Sequence, residues 1–231
     1  MVEKIAHRGG YPQKENTLEA FQHCLDNKHC DTIELDVHLC KGNDIVVYHV
    51  DIITKIGKIY DTELKILSKN SIPTLIQCMD LINNNKKLYI DVKVIYDSNK
   101  NYKNMMIKKL CEIIVDYVNN KKWTDKNIII ASFEHDIVMK IKKILRNNNI
   151  YPLYNLIFFC LPINLHLYTK SICDIITLCY DNCNIDTIRL LQNRSIKVYV
   201  YTVNNREIIK LFINHGIDGI ISDHQEYFSS I

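Results

Sequence analysis

Short runs rich in isoleucine, valine and leucine recur along this chain, with room for a helix between most of them, and that alternation constrains the fold more than any other feature. Nine runs read as strands, starting near residues 5, 33, 45, 88, 128, 154, 175, 197 and 219. The run at 45 follows its predecessor after one turn signal, Lys41-Gly42-Asn43. Parallel neighbours need a crossover of a dozen or more residues, so this run is an antiparallel return that stands outside the main order. Eight strands remain, mostly followed by helices and apolar enough to be covered on both faces. The expected class is α/β, a TIM (β/α)8 barrel in one domain over residues 1–231, with a β-hairpin extension after the second strand and a small insertion near residues 50–72. A doubly wound open sheet is the structural alternative.

The helices are read from apolar spacing and end signals. Asn16 or Thr17 caps a helix running to about Asn27, with Leu18, Phe21 and Leu25 on one face. Pro73 opens a helix to Asn83 that turns Leu75, Cys78, Met79 and Ile82 inward. Further helices are expected over 105–118, 136–145, 186–192 and 207–215, whereas 160–174 shows no helical period.

The hairpin at 31–49 concentrates chemistry. Glu34 and Asp36 are two residues apart, so a strand points both to one face, where they repel unless a cation lies between them; a divalent metal is the usual answer. A turn near Lys41–Gly42 then brings His49 roughly opposite Glu34. Other polar residues stand at strand C-terminal ends, the face where parallel barrels place their sites. His7 and Arg8 end the first strand, Asp91 and Lys93 the third, Ser132 the fourth, Tyr201 the seventh and Asp223 the eighth. The remaining histidines, at 23, 29, 38, 135, 166, 215 and 224, read as structural.

Several classes lose support. With 29 basic and 26 acidic residues and the lysines scattered, nucleic acid is not an expected partner. The most apolar stretch, 153–168, is interrupted by Asn155, Pro162, Asn164 and His166, short of the ~18 uninterrupted residues of a membrane span. Nine cysteines without a Cys-x-x-Cys pair, behind an N-terminus lacking a signal-peptide apolar run, predict reduced thiols and a cytoplasmic location. No phosphate-binding glycine loop, nucleophile elbow or dinucleotide glycine pattern occurs.

Eight segments in order carry a resemblance that covers nearly the whole chain: Ala6-His7-Arg8-Gly9 with Glu15-Asn16-Thr17, Glu34-Leu35-Asp36-Val37, Val46-Val47-Tyr48-His49, Ile72-Pro73-Thr74-Leu75, Tyr89-Ile90-Asp91-Val92-Lys93, Ser132-Phe133-Glu134-His135-Asp136, Val200-Tyr201-Thr202-Val203-Asn204 and Asp218-Gly219-Ile220-Ile221-Ser222-Asp223. Together they resemble the glycerophosphodiester phosphodiesterase family. The resemblance implies a catalytic barrel of that type, one divalent cation, and hydrolysis of a small-molecule glycerophosphodiester to glycerol 3-phosphate and an alcohol. It places a catalytic histidine pair on His7 and His49 and metal-binding acids on Glu34, Asp36 and Asp91. Arg8 and Lys93 fall where phosphate contacts are expected, Glu15 and Asn16 match a motif that shapes the site, and Tyr201 lies in the substrate pocket.

Three positions depart from the family pattern. Asp91 replaces a glutamate and is one methylene shorter, Val50 rather than an aspartate follows His49, and Tyr201 replaces a tryptophan. Oxygen donors favour Mg²⁺ or Ca²⁺ over zinc. Glycerol has a hydroxyl beside the ester, so one histidine can deprotonate it for attack on phosphorus while the other protonates the departing alcohol, giving a cyclic phosphate that water then opens. Two alternatives stand beside this expectation. One is a lysophospholipase D-type enzyme, which an apolar rim around Tyr151 to Leu167 favours. The other is a weakly active or inactive binding homologue.

Overall fold

The computed structural model describes residues 1–94, 100–121 and 123–230. In chain order its elements are β1 (Glu3–Ala6), α1 (Leu18–Asp26), β2 (Thr32–Leu39), β3 (Ile45–Val47), β4 (Ile52–Ile53), β5 (Gly57–Lys58), α2 (Leu64–Lys69), α3 (Leu75–Ile82), β6 (Lys87–Val92), α4 (Lys100–Asn120), β7 (Ile128–Ser132), α5 (His135–Asn147), β8 (Leu153–Phe158), β9 (Ile175–Cys179), α6 (Ile185–Gln192), β10 (Lys197–Tyr201), α7 (Arg206–Asn214) and β11 (Gly219–Ser222).

Eight parallel strands close on themselves. Their order runs β1, β11, β10, β9, β8, β7, β6, β2, and β2 pairs back to β1 through Ile5 with Thr32 and Ala6 with Ile33. That last pairing removes both sheet edges and settles the choice against an open doubly wound sheet. β3 pairs with β2, antiparallel, in the register Val37–Val47, His38–Val46 and Leu39–Ile45, and its other edge meets the 73–74 segment through the Val47 amide and a bridge from Val46 to Thr74. It is the hairpin extension expected from its short connection.

Two apolar layers hold the barrel. Inside it, Ile5, Tyr89, Ile129, Ile157, Tyr199 and Ile221 pack across the strands. Between strands and helices lies the larger layer, to which α3 contributes Leu75, Cys78, Met79 and Ile82, all fully buried as the spacing predicts. Thr74 caps α3 with a reciprocal capping box, its hydroxyl accepting from the Gln77 amide while the Gln77 side chain accepts from the Thr74 amide.

Four local expectations are corrected or filled in. Thr17 caps α1, and the helix buries Ala20, Phe21 and Cys24 while Leu18, in its first turn, stays exposed. The insertion at 50–72 holds the β4–β5 ribbon, a 3₁₀ turn and α2, whose Ile53, Ile59, Leu67 and Ile72 form a satellite core with Cys40 and Val46. The β8–β9 connection contains only a 3₁₀ turn at Leu165–Leu167, in agreement with its missing period. Cys24 and Cys30 are paired as a disulfide, and the other seven cysteines are free thiols. No helix among the described residues is long and apolar enough to cross a membrane.

Candidate active site

At the C-terminal end of the barrel the chain makes a tight turn just after β1. Arg8, Gly9 and Gly10 all have positive φ, at 50°, 92° and 63°. A Cβ on Gly9 would meet the Ala20 Cβ at 2.8 Å, so glycine is required where the turn crosses α1. The strained Arg8 backbone is held by its amide donating to Glu34 Oε2 at 2.7 Å and its carbonyl accepting from the Asn16 amide at 3.0 Å. The turn aims the His7 ring at the barrel axis. Its Nδ1 lies 2.5 Å from Asp223 Oδ1, and Asp223 in turn accepts from the Asn204 side chain. With Nδ1–H donated to Asp223, the other nitrogen, Nε2, faces the pocket, 4.0 Å from Glu34 Oε2.

Alternation along β2 delivers Glu34 and Asp36 to the same face, and the in-register neighbour of Asp36 on β6 is Asp91. Ligand oxygens of the three carboxylates lie within 4.8 Å of one another, and all three side chains are buried. Lys93 bridges Asp36 at 2.9 Å and Asp91 at 2.5 Å, Arg8 Nε approaches Asp36 at 3.3 Å, and Asn16 donates to Asp36 at 2.8 Å. One acceptor of the cluster is left over: Asp91 Oδ1 is buried with no hydrogen-bond partner among the described residues. A buried carboxylate oxygen without a donor is costly, and a divalent cation satisfies it.

The proton equilibria follow. Burial, with Asp36 and Asp91 adding to it, pushes the Glu34 carboxyl up to about 8. Burial also raises Asp91 against the pull of Lys93. For Asp36 burial works in the same sense, but Lys93 and Arg8 outweigh it and hold the carboxyl below its ordinary range. The histidines move in opposite directions. Burial pulls both down; the Asp223 hydrogen bond and Glu34 more than offset it at His7, which ends raised, whereas His49 stays lowered.

Glu34 supplies a linkage test. Its ordinary value is 4.5 and its folded value about 8, so between these the folded state holds a proton that the unfolded state releases. Metal-free protein therefore loses stability as pH rises through that window. A cation that replaces the proton should stabilise more at pH 9 than at pH 6, which melting temperatures with and without millimolar Mg²⁺ or Ca²⁺ will show. Equal metal-induced shifts at the two pH values would contradict this placement of the ion.

Seven of the ten residues expected from the sequence line one open pocket of about 130 Å³: His7, Arg8, Glu34, His49, Asp91, Lys93 and Tyr201. The other three stand behind it. Asp36 and Asn16 are buried beneath Arg8 and Lys93, and Glu15 reaches Arg8 Nη1 at 2.9 Å from the exposed side. Val50, which follows His49, is exposed. Phe133 meets Tyr201 edge to face at 5.9 Å and lies 5.5 Å from Lys93 Nζ, giving the pocket an aromatic wall beside its charged residues. Sequence pattern marks Asp223 only as a strand end and gives Phe133 no role of its own; Asp223 reaches His7 because β11 closes beside β1, and Phe133 reaches Lys93 because β7 lies beside β6.

Comparison with known proteins agrees with this geometry. A sequence profile of the Glycerophosphoryl diester phosphodiesterase family matches residues 7–226. The chain is 27% identical over 245 residues to the glycerophosphodiester phosphodiesterase of Caldanaerobacter subterraneus subsp. tengcongensis, covering 96% of this chain and 94% of that one. Among solved structures it is similar to an Oleispira antarctica phosphodiesterase in complex with the product sn-glycerol-3-phosphate, with TM-score 0.84, 19% identity, and coverage of 99% of this chain and 95% of that one. It is also similar to a glycerophosphodiester phosphodiesterase of Thermotoga maritima, with TM-score 0.75, 24% identity, and coverage of 100% and 98%. At these identities the structures speak for the fold.

Proposed function

The chain belongs to the glycerophosphoryl diester phosphodiesterase family, and from that premise we propose that it hydrolyses glycerophosphodiesters to glycerol 3-phosphate and an alcohol, with a divalent cation and two histidines, His7 and His49. The observation that carries the reading is the buried trio Glu34, Asp36 and Asp91, with Asp91 Oδ1 unpartnered, opening onto a pocket that both imidazoles line. Those three carboxylates would hold Mg²⁺ or Ca²⁺, hard cations that suit oxygen donors. When bound, such an ion supplies charge neutralisation for the phosphodiester and for the additional negative charge of the transition state.

The protein's own groups do the rest. Arg8 and Lys93 hold the phosphate oxygens at the pocket floor. His49, kept neutral by burial, accepts the proton of the glycerol hydroxyl next to the ester as that oxygen attacks phosphorus. His7, whose charged form Asp223 supports, gives a proton to the departing alcohol oxygen. The P–O bond to the alcohol breaks as the ring P–O bond forms, and the cyclic phosphate is opened by water with the two roles exchanged. Following ³¹P signals with glycerophosphocholine and with its analogue lacking the middle hydroxyl tests the route. Only the hydroxyl-bearing substrate should turn over; similar rates for both would exclude hydroxyl attack.

One observation favours a second reading, lysophospholipase D-type cleavage of a lipid-bearing diester. Phe159, Leu161, Ile163 and Leu167 are exposed in the loop that leaves β8 at the site end of the barrel. Tyr201 donates to the carbonyl of Phe158 just before it. Tyr151 is not part of this rim, since it precedes β8 at the opposite end. Burying each such side chain against an acyl chain contributes about 1.5–3 kcal/mol. Under this reading, Phe159→Ser with Ile163→Ser lowers lysophosphatidylcholine turnover at least about 10-fold and leaves glycerophosphocholine turnover within about twofold. Equal effects on the two substrates would remove the lipid reading.

A further inference from the structure

The segment carrying His49 is tied to the barrel from behind by a third histidine. His38 lies on β2 two residues beyond Asp36, so strand alternation places Glu34, Asp36 and His38 on one face, and all three are buried. His38 Nε2 is 3.2 Å from the main-chain carbonyl of His49. A carbonyl only accepts, so the imidazole carries its proton on Nε2 and donates it there. Nδ1 is then a bare acceptor, and it is buried with no partner among the described residues.

That arrangement is expensive for a residue whose only task is to fill space. A buried, unsatisfied ring nitrogen costs free energy that a leucine of similar volume in the same strand would not incur. What the imidazole gives in return is one directed bond, placed at a junction. Tyr48 still donates to the Asp36 carbonyl, and the Asp51 carbonyl already accepts from Ile59 in the insertion. The His38 bond fixes the residue between these two anchors, where the chain leaves β3 for the insertion. Val50, exposed next in line, offers His49 no polar support.

We propose that His38 is a positioning residue for the reaction: by donating Nε2–H to the His49 carbonyl, it holds that stretch of main chain, and so the His49 imidazole, in its working place at the pocket. The proposal rests on the reading of His49 as one of the two proton-transfer groups. It extends the set of histidines the reaction depends on without adding one that touches substrate.

The test measures kcat and KM for glycerophosphocholine on His38→Leu, His38→Gln, His49→Ala and the double variant His38→Leu/His49→Ala. Leucine removes the donor at similar volume; the glutamine amide nitrogen can reach the same carbonyl. We expect His38→Leu to lower kcat about 10–100-fold, since small misplacement of a catalytic group has effects of that size, with KM within about threefold. His38→Gln should recover most of the loss. The double variant should fall no lower than His49→Ala alone, because no imidazole remains to be positioned. A His38→Leu kcat within twofold of the parent overturns the proposal, as does an undiminished fold-loss in the His49→Ala background. If His49→Ala itself turns over at the parental rate, the two-histidine reading falls and this proposal with it, an outcome distinct from failure of His38 alone. Should His38→Leu not fold, ¹⁵N spectra of the labelled parent decide: the Nε2–H tautomer is expected at His38, and the Nδ1–H tautomer overturns the assignment.

Discussion

Replacing His7 or His49 singly by alanine is expected to lower kcat by about 10²–10⁴-fold each, the range that a positioned proton donor or acceptor contributes. The two losses have different structural roots. At His7 the substitution also strands Asp223, whose Oδ1 has the imidazole as its partner at 2.5 Å, so a modest loss of stability accompanies the loss of rate. His49 follows the hairpin extension and its side chain has no comparable ion pair among the described residues, so the protein should stay near parental stability while losing activity. Steady-state kinetics beside thermal melts separate the effects. A turnover within a few-fold of the parent in either variant would remove that residue from the proton-transfer pair.

The second large effect is expected at Asp36, a carboxylate held by three side chains. It accepts from Asn16 and Lys93, lies against Arg8 Nε, and its own amide donates to the Asn16 side chain at 3.2 Å. Asp36→Asn keeps the shape but removes the charge. It leaves Arg8 and Lys93 facing a neutral amide, with the amide nitrogen opposing the Asn16 donor. Breaking a buried pair by removing one partner costs about 3–5 kcal/mol, more than the pair adds when compared with apolar packing. Urea unfolding of the metal-free variant should show a loss of that order, and calorimetry should show divalent-cation affinity greatly weakened. A variant within about 1 kcal/mol of the parent that binds Mg²⁺ or Ca²⁺ normally would place the ion elsewhere.

The barrel was legible because parallel strands covered on both faces leave uninterrupted apolar runs, and because the one run without a crossover, at 45, marked itself as an outsider. The site was legible for a related reason. Period-two alternation puts Glu34 with Asp36, and strand ends collect polar groups, so His7, Arg8, Asp91, Lys93 and Tyr201 could be named before any contact was seen. What escaped the sequence is physically distinct. The inward face of α1 is set by Ala20 lying under Gly9, a contact between two small residues that apolar periodicity does not report. The insertion is built from two strands of two residues each, a 3₁₀ turn and a six-residue helix, all too short to show a period. Asp223 reaches His7 only because β11 closes beside β1, and His38 reaches the His49 carbonyl only because the chain turns back past the end of β3. Both bonds join residues whose pairing follows from closure and register, and neither leaves a mark on local pattern.

The most direct measurement is the release of sn-glycerol 3-phosphate from glycerophosphocholine by protein stripped of metal, followed continuously while Mg²⁺ or Ca²⁺ is added and then removed by a chelator. The account predicts no release before addition, steady release once one of these ions is present, and loss of activity on chelation. Release at the same rate throughout, or none with either ion, would contradict it.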